Sequence, residues 1–155
     1  MIRIIAVSDS HGDRRSLRAI LERHADADAV FHLGDGATDM EALTEEFPHL
    51  RIYQVGGNCD SALRLFPAEQ EVVLGGARFF AVHGHAFGVK SSPLRLLFAA
   101  RERGARVVLF GHTHHPLVHG EEGLCLVNPG SVRDGRYALI DLTSPDGVFA
   151  HLERL

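Results

Sequence analysis

The sequence predicts an α/β domain in which two packed sheets are flanked by helices. Three observations lead to this fold class. The first half of the chain alternates buried strands with helices, which indicates parallel pairing with right-handed crossovers. The second half is rich in hairpin signals, which indicate antiparallel pairing. A chain of 155 residues with 45% hydrophobic residues can also bury one core without disulfides, so we predict a single domain over residues 1–155.

The first half contains five predicted elements. The opening run Ile2–Val7 is almost continuously apolar, as is typical of a strand covered on both faces. Thr38 and Glu41 form a capping-box pattern at the start of a helix. In chain order the elements are a strand over 2–7, a helix over 14–24, a strand over 29–33, a helix from Thr38 to about Phe47 and a strand over 51–55.

The second half changes character because glycine-rich turns separate its apolar runs. Gly75 and Gly76 lie between two such runs and indicate a hairpin. Ser92 and Pro93 are a suitable N-cap and first helical residue. The predicted elements are strands over 71–74 and 78–82, a helix from 93 to about 104, a strand over 106–110 and hairpins that turn at 120–123 and 144–147.

Composition excludes several classes of protein. The formal net charge is -4 and Lys and Arg form no run, so a nucleic-acid polymer is not an expected partner. Cys59 and Cys125 lack CxxC spacing, which favours a reducing compartment. No apolar stretch is long enough to span a bilayer, and the first run lacks a signal-peptide cleavage site. We therefore expect a cytoplasmic protein that does not bind membranes.

Five short segments each end an apolar run with residue types that ligate metals. Each follows the carboxyl end of a predicted strand, where open α/β sheets bind ligands. Together these hard and borderline ligands suffice for two divalent cations around a shared carboxylate, the arrangement of a hydrolytic centre for phosphate esters. The candidate ligands are Asp9, His11, Asp35, Asn58, His83, His112 and His114.

Spacing strengthens this hypothesis. In an extended chain residues i and i+2 point the same way, so Asp9 with His11, and His112 with His114, are each expected to offer two ligands from one strand end. Taken alone, every segment also fits a turn, a helix cap or a loop. The agreement of all five, each at the end of a strand, favours a metal site.

The chain resembles the calcineurin-like metallophosphoesterases, especially their small prokaryotic phosphodiesterase branch. The resemblance rests on the order and the local sequence of five segments: Ser8-Asp9-Ser10-His11, Gly34-Asp35, Gly57-Asn58-Cys59-Asp60, His83-Gly84-His85 and Gly111-His112-Thr113-His114. It extends to Asn128-Pro129-Gly130-Ser131. It implies a four-layer α/β/β/α sandwich of two mixed sheets flanked by helices. It also implies hydrolysis of phosphate esters, with diesters expected, by attack of a metal-bridging hydroxide.

The resemblance further implies which residues hold which ion. Asp9, His11 and His114 would bind one ion, Asn58, His83 and His112 the other, and Asp35 both. All of these except His11 are also expected to be catalytic. Oxygen and nitrogen ligands without thiolate favour transition ions, so we expect two manganese ions per chain, with nickel, iron or zinc as alternatives.

One residue departs from the family pattern. Many relatives have a histidine directly after the metal-binding asparagine, placed to protonate the leaving alkoxide, whereas this chain has Cys59 followed by Asp60. A thiol with an unperturbed pKa of about 8.5 is a weaker proton donor, and its thiolate is a candidate metal ligand. Activated diesters should suffer least, because their leaving groups need little protonation.

Other polar residues beside the motifs receive supporting roles. His32 is expected to be hydrogen bonded in the core behind Asp35 rather than to ligate a metal. His85 is expected to support the site or contact substrate, because its i+2 relation to His83 aims it there. The segment 128–131 is expected to shape the backbone beside the site.

Two alternatives belong to other classes of protein. A non-catalytic interaction module of the same fold, such as a retromer subunit, would be free to lose metal ligands, and this chain has all of them. A metallo-β-lactamase-like hydrolase would need an H-x-H-x-D-H cluster, and residues 112–116 lack its aspartate. We predict a phosphoesterase that acts on small phosphate mono- or diesters. The sequence does not decide whether the chain forms a homo-oligomer.

Overall fold

The computed structural model describes residues 1–61 and 66–155, and two sheets dominate them. The strands are β1 (Ile2–Val7), β2 (Ala29–His32), β3 (Arg51–Gln54), β4 (Glu69–Leu74), β5 (Ala77–Val82), β6 (Val107–Leu109), β7 (Leu117–Glu121), β8 (Leu124–Asn128), β9 (Arg136–Leu142) and β10 (Val148–Arg154). The α-helices are α1 (Arg14–Arg23), α2 (Ala37–Leu43) and α3 (Leu94–Glu102). Short 3₁₀ turns occupy Thr44–Glu46, His85–Phe87 and Val132–Asp134.

Both sheets are mixed, as expected. The first has the order β10-β9-β1-β2-β3, in which β1, β2 and β3 are parallel and β9 runs antiparallel to β1 and β10. The second has the order β4-β5-β6-β8-β7, in which β5, β6 and β8 are parallel and β4 and β7 are antiparallel edges. The final hairpin therefore returns to the first sheet, which the local turn signals did not indicate.

The alternating direction of the side chains along β1 explains how the sheets and helices pack in layers. Ile4 and Ala6 belong to the core between the two sheets, whereas Ile5 and Val7 belong to a second core beneath α1 and α2. Successive side chains of a strand point to opposite faces, so a strand covered on both faces is apolar throughout. A third core packs α3 against the second sheet through residues such as Leu96. The fold is thus the four-layer α/β/β/α sandwich that was expected.

The capping-box prediction for α2 is wrong. The helix begins at Ala37 with Gly36 at the N-cap position, and Thr38 provides no capping hydrogen bond. Instead the Asp60 carboxylate accepts hydrogen bonds from the amides of Gly36 (2.9 Å) and Ala37 (3.1 Å). A distant carboxylate therefore satisfies amides that a helix start leaves unpaired. The helix also ends at Leu43, earlier than predicted, and a 3₁₀ turn continues it.

The start of α3 is also later than predicted. Pro93 occupies the N-cap position rather than the first helical position, and the helix begins at Leu94. The Ser92 hydroxyl still accepts a hydrogen bond from the amide of Leu94, at 3.2 Å. Within the described residues, none of the helices combines the length and the apolar character needed to cross a bilayer.

Candidate metal centre

The predicted ligand segments meet at one edge of both sheets. They follow β1, β2 and β3 in the first sheet and β5 and β6 in the second. Backbone hydrogen bonds hold neighbouring segments together: His11 N donates to Asp35 O at 3.0 Å, and Gly111 N donates to His83 O at 2.9 Å. The topology thus gathers side chains that are distant in sequence, as the positions of the strand ends predicted.

One group of side chains surrounds the Asp9 carboxylate. Asp9 Oδ1 lies 3.1 Å from His114 Nε2 and 3.6 Å from His11 Nε2. The other oxygen, Oδ2, accepts hydrogen bonds from the Ser8 hydroxyl (2.5 Å) and the amide of His112 (3.0 Å). Because Oδ2 is held by these donors, the fully buried carboxylate presents Oδ1 to the two imidazoles.

A second group surrounds Asp35 and adjoins the first. His83 Nε2 lies 3.3 Å from Asp35 Oδ2 and 3.2 Å from His112 Nδ1. The same Asp35 oxygen is 3.8 Å from His11 Nε2, and His83 Nε2 is 3.9 Å from Asp9 Oδ1. Asp35 Oδ2 therefore faces both groups.

The buried imidazole of His83 is held in one tautomer. Its Nδ1–H donates to the carbonyl oxygen of Leu33 at 2.7 Å, so in the neutral ring Nε2 carries the lone pair directed into the site, and only the protonated ring donates from Nε2 to Asp35. Burial lowers the pKa of His83, but the hydrogen bond to Asp35 and the charges of Asp9 and Asp35 outweigh it and raise the pKa overall. Burial alone would raise the pKa of Asp35, yet hydrogen bonds from His83 and the Cys59 amide hold it well below its usual range.

The backbone is left-handed at the candidate ligands of three of the five segments, so the prediction of extended chain at the two i, i+2 pairs is wrong. Positive φ angles occur at both residues of each i, i+2 pair and at Asp35: Asp9 (55°), His11 (43°), Asp35 (56°), His112 (68°) and His114 (61°). Asp9 and His11 still converge, with His11 Nε2 at 3.6 Å from Asp9 Oδ1, whereas His112 and His114 belong to the two different groups. Non-glycine residues rarely adopt this conformation, and it concentrates at functional sites.

Two glycines permit the close packing of these segments. A Cβ atom on Gly34 would lie 2.8 Å from His83 Nδ1 and 2.7 Å from the amide nitrogen of Gly57. A Cβ on Gly57 would overlap the Asp35 carboxylate. Any side chain at either position would therefore push the loops after β2 and β3 apart.

Asn58 and Cys59 lie at the exposed side of the site. The Asn58 side chain is exposed, and its amide donates to Cys59 Sγ at 3.6 Å. The Cys59 amide donates to Asp35 Oδ1 at 2.8 Å. Cys59 Sγ, an imidazole nitrogen of His11 and a carboxylate oxygen of Asp35 all lie within 4.8 Å of one another. Burial, followed by the charge of Asp35, raises the pKa of the thiol.

Asp60 organises the loops around the site, a role that the sequence did not reveal. Besides the amides at the start of α2, its carboxylate accepts hydrogen bonds from the amides of Asp35 (2.8 Å) and Gly57 (2.7 Å). Each oxygen thus has two backbone donors. The Asp60 carboxylate is therefore already engaged by backbone amides and is not directed towards the side chain at position 59.

Asp60→Asn is predicted to lower the free energy of unfolding of the metal-free protein by about 2–3 kcal/mol at pH 7, because an amide has one acceptor oxygen for four backbone donors. Urea denaturation measures this difference. Burial alone would raise the pKa of Asp60, but the backbone donors lower it overall. A depressed pKa adds stability above the unfolded pKa of about 3.9, and this stability is lost as the pH falls through the folded pKa.

The difference between the two proteins should therefore shrink in acid. Asp146→Asn, in the exposed turn between β9 and β10, is the matched control and should change stability little. A difference that stayed constant down to pH 2 would contradict the carboxylate as its source.

A buried network lies behind the ligands. His32 is fully buried, and burial lowers its pKa to about 4. Gly34 N donates to His32 Nδ1 at 3.2 Å, so Nε2–H donates to the Ser10 hydroxyl at 3.0 Å. The hydroxyl donates in turn to Asp39 Oδ2 at 2.7 Å. His32 is therefore a hydrogen-bonded core residue, in agreement with its expected role, and it links the loops after β1 and β2.

The loop at residues 128–131 shapes the backbone beside the site, as expected. Asn128 Nδ2 donates to Gly111 O (3.1 Å) and to Thr113 Oγ1 (3.0 Å), which supports the last ligand segment. Ser131 Oγ donates to Asp9 O at 2.8 Å. His85 is exposed, and its ring centroid lies 5.4 Å from that of His83, so it borders the site.

The donor set suits divalent transition ions. Buried carboxylates are costly without compensating partners. Across residues 1–61 and 66–155, the basic side chains with a nitrogen within 4.0 Å of the Asp9 or Asp35 carboxylate oxygens are histidines alone. Imidazole and carboxylate together are typical ligands of Mn, Fe, Ni and Zn. The candidate ligands form two such groups, Asp9-His11-His114 and Asp35-His83-His112. Within each group, the ligand atoms all lie within 4.8 Å of one another.

Comparison with known proteins identifies relatives over most of the chain. The model of the calcineurin-like phosphoesterase superfamily domain matches residues 2–144. The probable metallophosphoesterase YsnB of Bacillus subtilis is 37% identical over 135 residues, covering 84% of this chain and 75% of that protein. The phosphodiesterase YfcE of Escherichia coli K12 is 30% identical over 154 aligned residues, covering 85% of this chain and 80% of that one.

A solved structure of a protein that is not named as a phosphoesterase has the same fold. Vacuolar Protein Sorting 29 from Cryptosporidium parvum superposes with a TM-score of 0.78, and the match covers 99% of this chain and 97% of that chain. Sequence identity is 18%, so this likeness concerns the fold alone.

Proposed function

Because the chain belongs to the calcineurin-like phosphoesterase superfamily, whose members are metal-dependent, we propose that it is a dinuclear-metal phosphodiesterase. Membership of this family contradicts the metallo-β-lactamase-like alternative. The single observation that carries the proposal is the convergence of two aspartates and four histidines whose ligand atoms form two adjoining groups around Asp35.

The proposed ligand sets follow these groups. Asp9, His11 and His114 would hold one ion, and His83 and His112 would hold the other, together with Asn58. Asp35 bridges, supported by its position between His83 Nε2 and His11 Nε2. The assignment of Asn58 rests on its place in the family motif.

Two bound cations would supply Lewis acidity for the phosphoryl oxygens and would lower the pKa of a bound water, which is the chemistry that direct attack by water on phosphorus needs. The protein's own groups prepare this chemistry. Leu33 O fixes the His83 tautomer, and the Ser8 hydroxyl and the His112 amide fix the orientation of Asp9. Two dications and two carboxylates leave a formal charge of about +2, which attracts an anionic phosphate.

Diesters are the proposed substrates because position 59 carries no imidazole. A histidine there would protonate a leaving alkoxide, and general acids contribute roughly 10²–10⁴-fold. Cys59 is exposed beside the site and offers only a thiol. Esters with good leaving groups lose least from this replacement. Manganese as the preferred ion, a cytoplasmic location and a possible homo-oligomer remain predictions.

The test is an activity screen of metal-reconstituted protein against mono- and diesters, including cyclic nucleotides. We expect hydrolysis of bis(p-nitrophenyl) phosphate. Hydrolysis in ¹⁸O-water of a phosphorothioate diester of known configuration at phosphorus should invert that configuration, because direct attack by water is a single in-line displacement. Retention of configuration would indicate two displacements through a covalent enzyme intermediate and would contradict direct attack by water.

Ser10→Ala is predicted to keep kcat within about tenfold of wild type, while the free energy of unfolding falls by about 1–3 kcal/mol. Ser10 is fully buried, and its hydroxyl links His32 to Asp39 rather than facing the ligands. Loss of the hydroxyl leaves the His32 Nε2–H without this acceptor. Steady-state kinetics and urea denaturation measure the two effects, and a loss of kcat beyond about 10³-fold with full metal content would indicate a direct catalytic role.

An interaction module of the same fold is the second candidate, and the shared fold with Vacuolar Protein Sorting 29 is the observation that favours it. Absence of hydrolysis across the whole screen, in protein shown to contain metal, would support this candidate over the enzyme.

A further inference from the structure

A cavity of about 650 Å³ opens beside the candidate metal centre. Its lining is mostly apolar and includes Val89, Phe110, Pro116 and Leu117. Val89 and Phe110 are 7% and 4% exposed, so this part of the lining is held by the core and is already formed. Pockets of this volume that combine apolar walls with a few polar groups are typical sites for small organic molecules.

The cavity is continuous with the ligand segments. Phe110 and Thr113, which both line it, flank Gly111 and the candidate ligand His112. On the other side, Val89 packs against the glycine that follows His83, since a Cβ on Gly84 would lie 2.8 Å from Val89 Cγ2. A molecule in the cavity therefore lies next to the ends of both β5 and β6.

Charge and hydrogen bonding restrict what the cavity can hold. Lys90 lines the cavity and brings a positive charge to it. Thr113 Oγ1 already accepts hydrogen bonds from the His115 amide (3.1 Å) and from Asn128 Nδ2 (3.0 Å). An anionic phosphate is therefore favoured near Lys90, and an apolar group is favoured against Val89, Phe110 and Leu117.

We propose that this cavity receives an apolar ester group of the substrate, of the size of an aromatic ring, while the phosphate is bound at the metal centre. The inference rests on the proposed function, and it narrows the substrate to phosphodiesters in which one ester group is aromatic. Val89, Phe110 and Leu117 are then specificity-determining residues for that group.

Two phosphonates test the proposal, because their C–P bonds resist hydrolysis and they differ only in the organic group. Phenylphosphonate should inhibit hydrolysis of bis(p-nitrophenyl) phosphate with a Ki roughly tenfold lower than that of methylphosphonate, since the ring removes apolar surface from water. Leu117→Ser should reduce this ratio to roughly threefold. The matched control is Leu152→Ser on β10, because Leu152 is 41% exposed and Leu117 39%. The control should leave the ratio unchanged.

Amide shifts give a readout that does not depend on catalysis. In ¹⁵N-labelled, zinc-reconstituted protein, phenylphosphonate should shift the amides of Phe110, Thr113 and Leu117, and methylphosphonate should leave Leu117 unshifted. Equal Ki values, or a ratio that Leu117→Ser does not change, overturn the proposal while hydrolysis itself still supports the phosphodiesterase. Shifts at the cavity without any hydrolysis would instead refute the proposed function and leave the cavity as an aryl site.

Discussion

Asp35→Ala should lose both ions and nearly all activity. We expect kcat/KM for bis(p-nitrophenyl) phosphate to fall on the order of 10³-fold or more, because metal ions supply several kcal/mol and each 1.36 kcal/mol is a factor of ten. The physical reason is the position of Asp35 Oδ2, which lies 3.3 Å from His83 Nε2 and 3.8 Å from His11 Nε2 and so faces both ligand groups. Elemental analysis after reconstitution with manganese measures the bound ions.

Two variants control this experiment. His83→Ala should mainly empty one of the two positions, because His83 belongs to one ligand group. Asp146→Ala, in an exposed turn beside the amino end of β1, should keep about two ions per chain, as a dinuclear site requires. Wild-type protein that takes up no more than one ion under saturating manganese would contradict the dinuclear centre.

Replacement of Cys59 should change substrate preference more than overall activity. Cys59→Ala should cost little on an activated aryl diester, because its leaving group needs little protonation. Cys59→His should raise the rate on alkyl monoesters selectively. The gain should be about tenfold, below the 10²–10⁴-fold of a positioned general acid, because Asp60 is engaged by four backbone amides and does not orient the new imidazole.

Steady-state rates on paired mono- and diesters, together with metal content, measure these effects. Cys125→Ala is the control, since the partly buried Cys125 lies on β8 within the second sheet. If Cys59→Ala abolished diester cleavage with the metal content intact, Cys59 would itself be catalytic, and the interpretation of the proton-donor position would be wrong.

The sequence predicted where the site would form because strand ends are marked by strong local signals. An apolar run such as Ile2–Val7 followed by Asp9 identifies both a buried strand and its ligand-bearing end. The topology of parallel strands then brings such ends to one edge. For this reason six of the predicted side chains lie together, even though the local backbone was predicted incorrectly.

The supporting contacts could not be predicted, because they join residues far apart in the chain. Asp60 reaches Asp35 across 25 positions, and Ser10 reaches Asp39 across 29. Neither contact follows a short-range spacing rule, so the sequence did not reveal the role of Asp60. Pairing of β9 with β1 escaped prediction for the same reason, since hairpin signals define a turn and not the sheet that it joins.

The left-handed backbone at five of the candidate ligand residues has an evolutionary consequence. Each non-glycine residue in this conformation costs roughly 1 kcal/mol, and every folded copy bears that cost whether or not it turns over substrate. A lineage released from selection for catalysis would gain stability by replacing Asp9, His11 or His114 with glycine or asparagine. We therefore expect such a lineage to lose the candidate ligand residues by substitution while it keeps the residues that form the sheets. The fold would then persist in proteins that no longer catalyse the reaction.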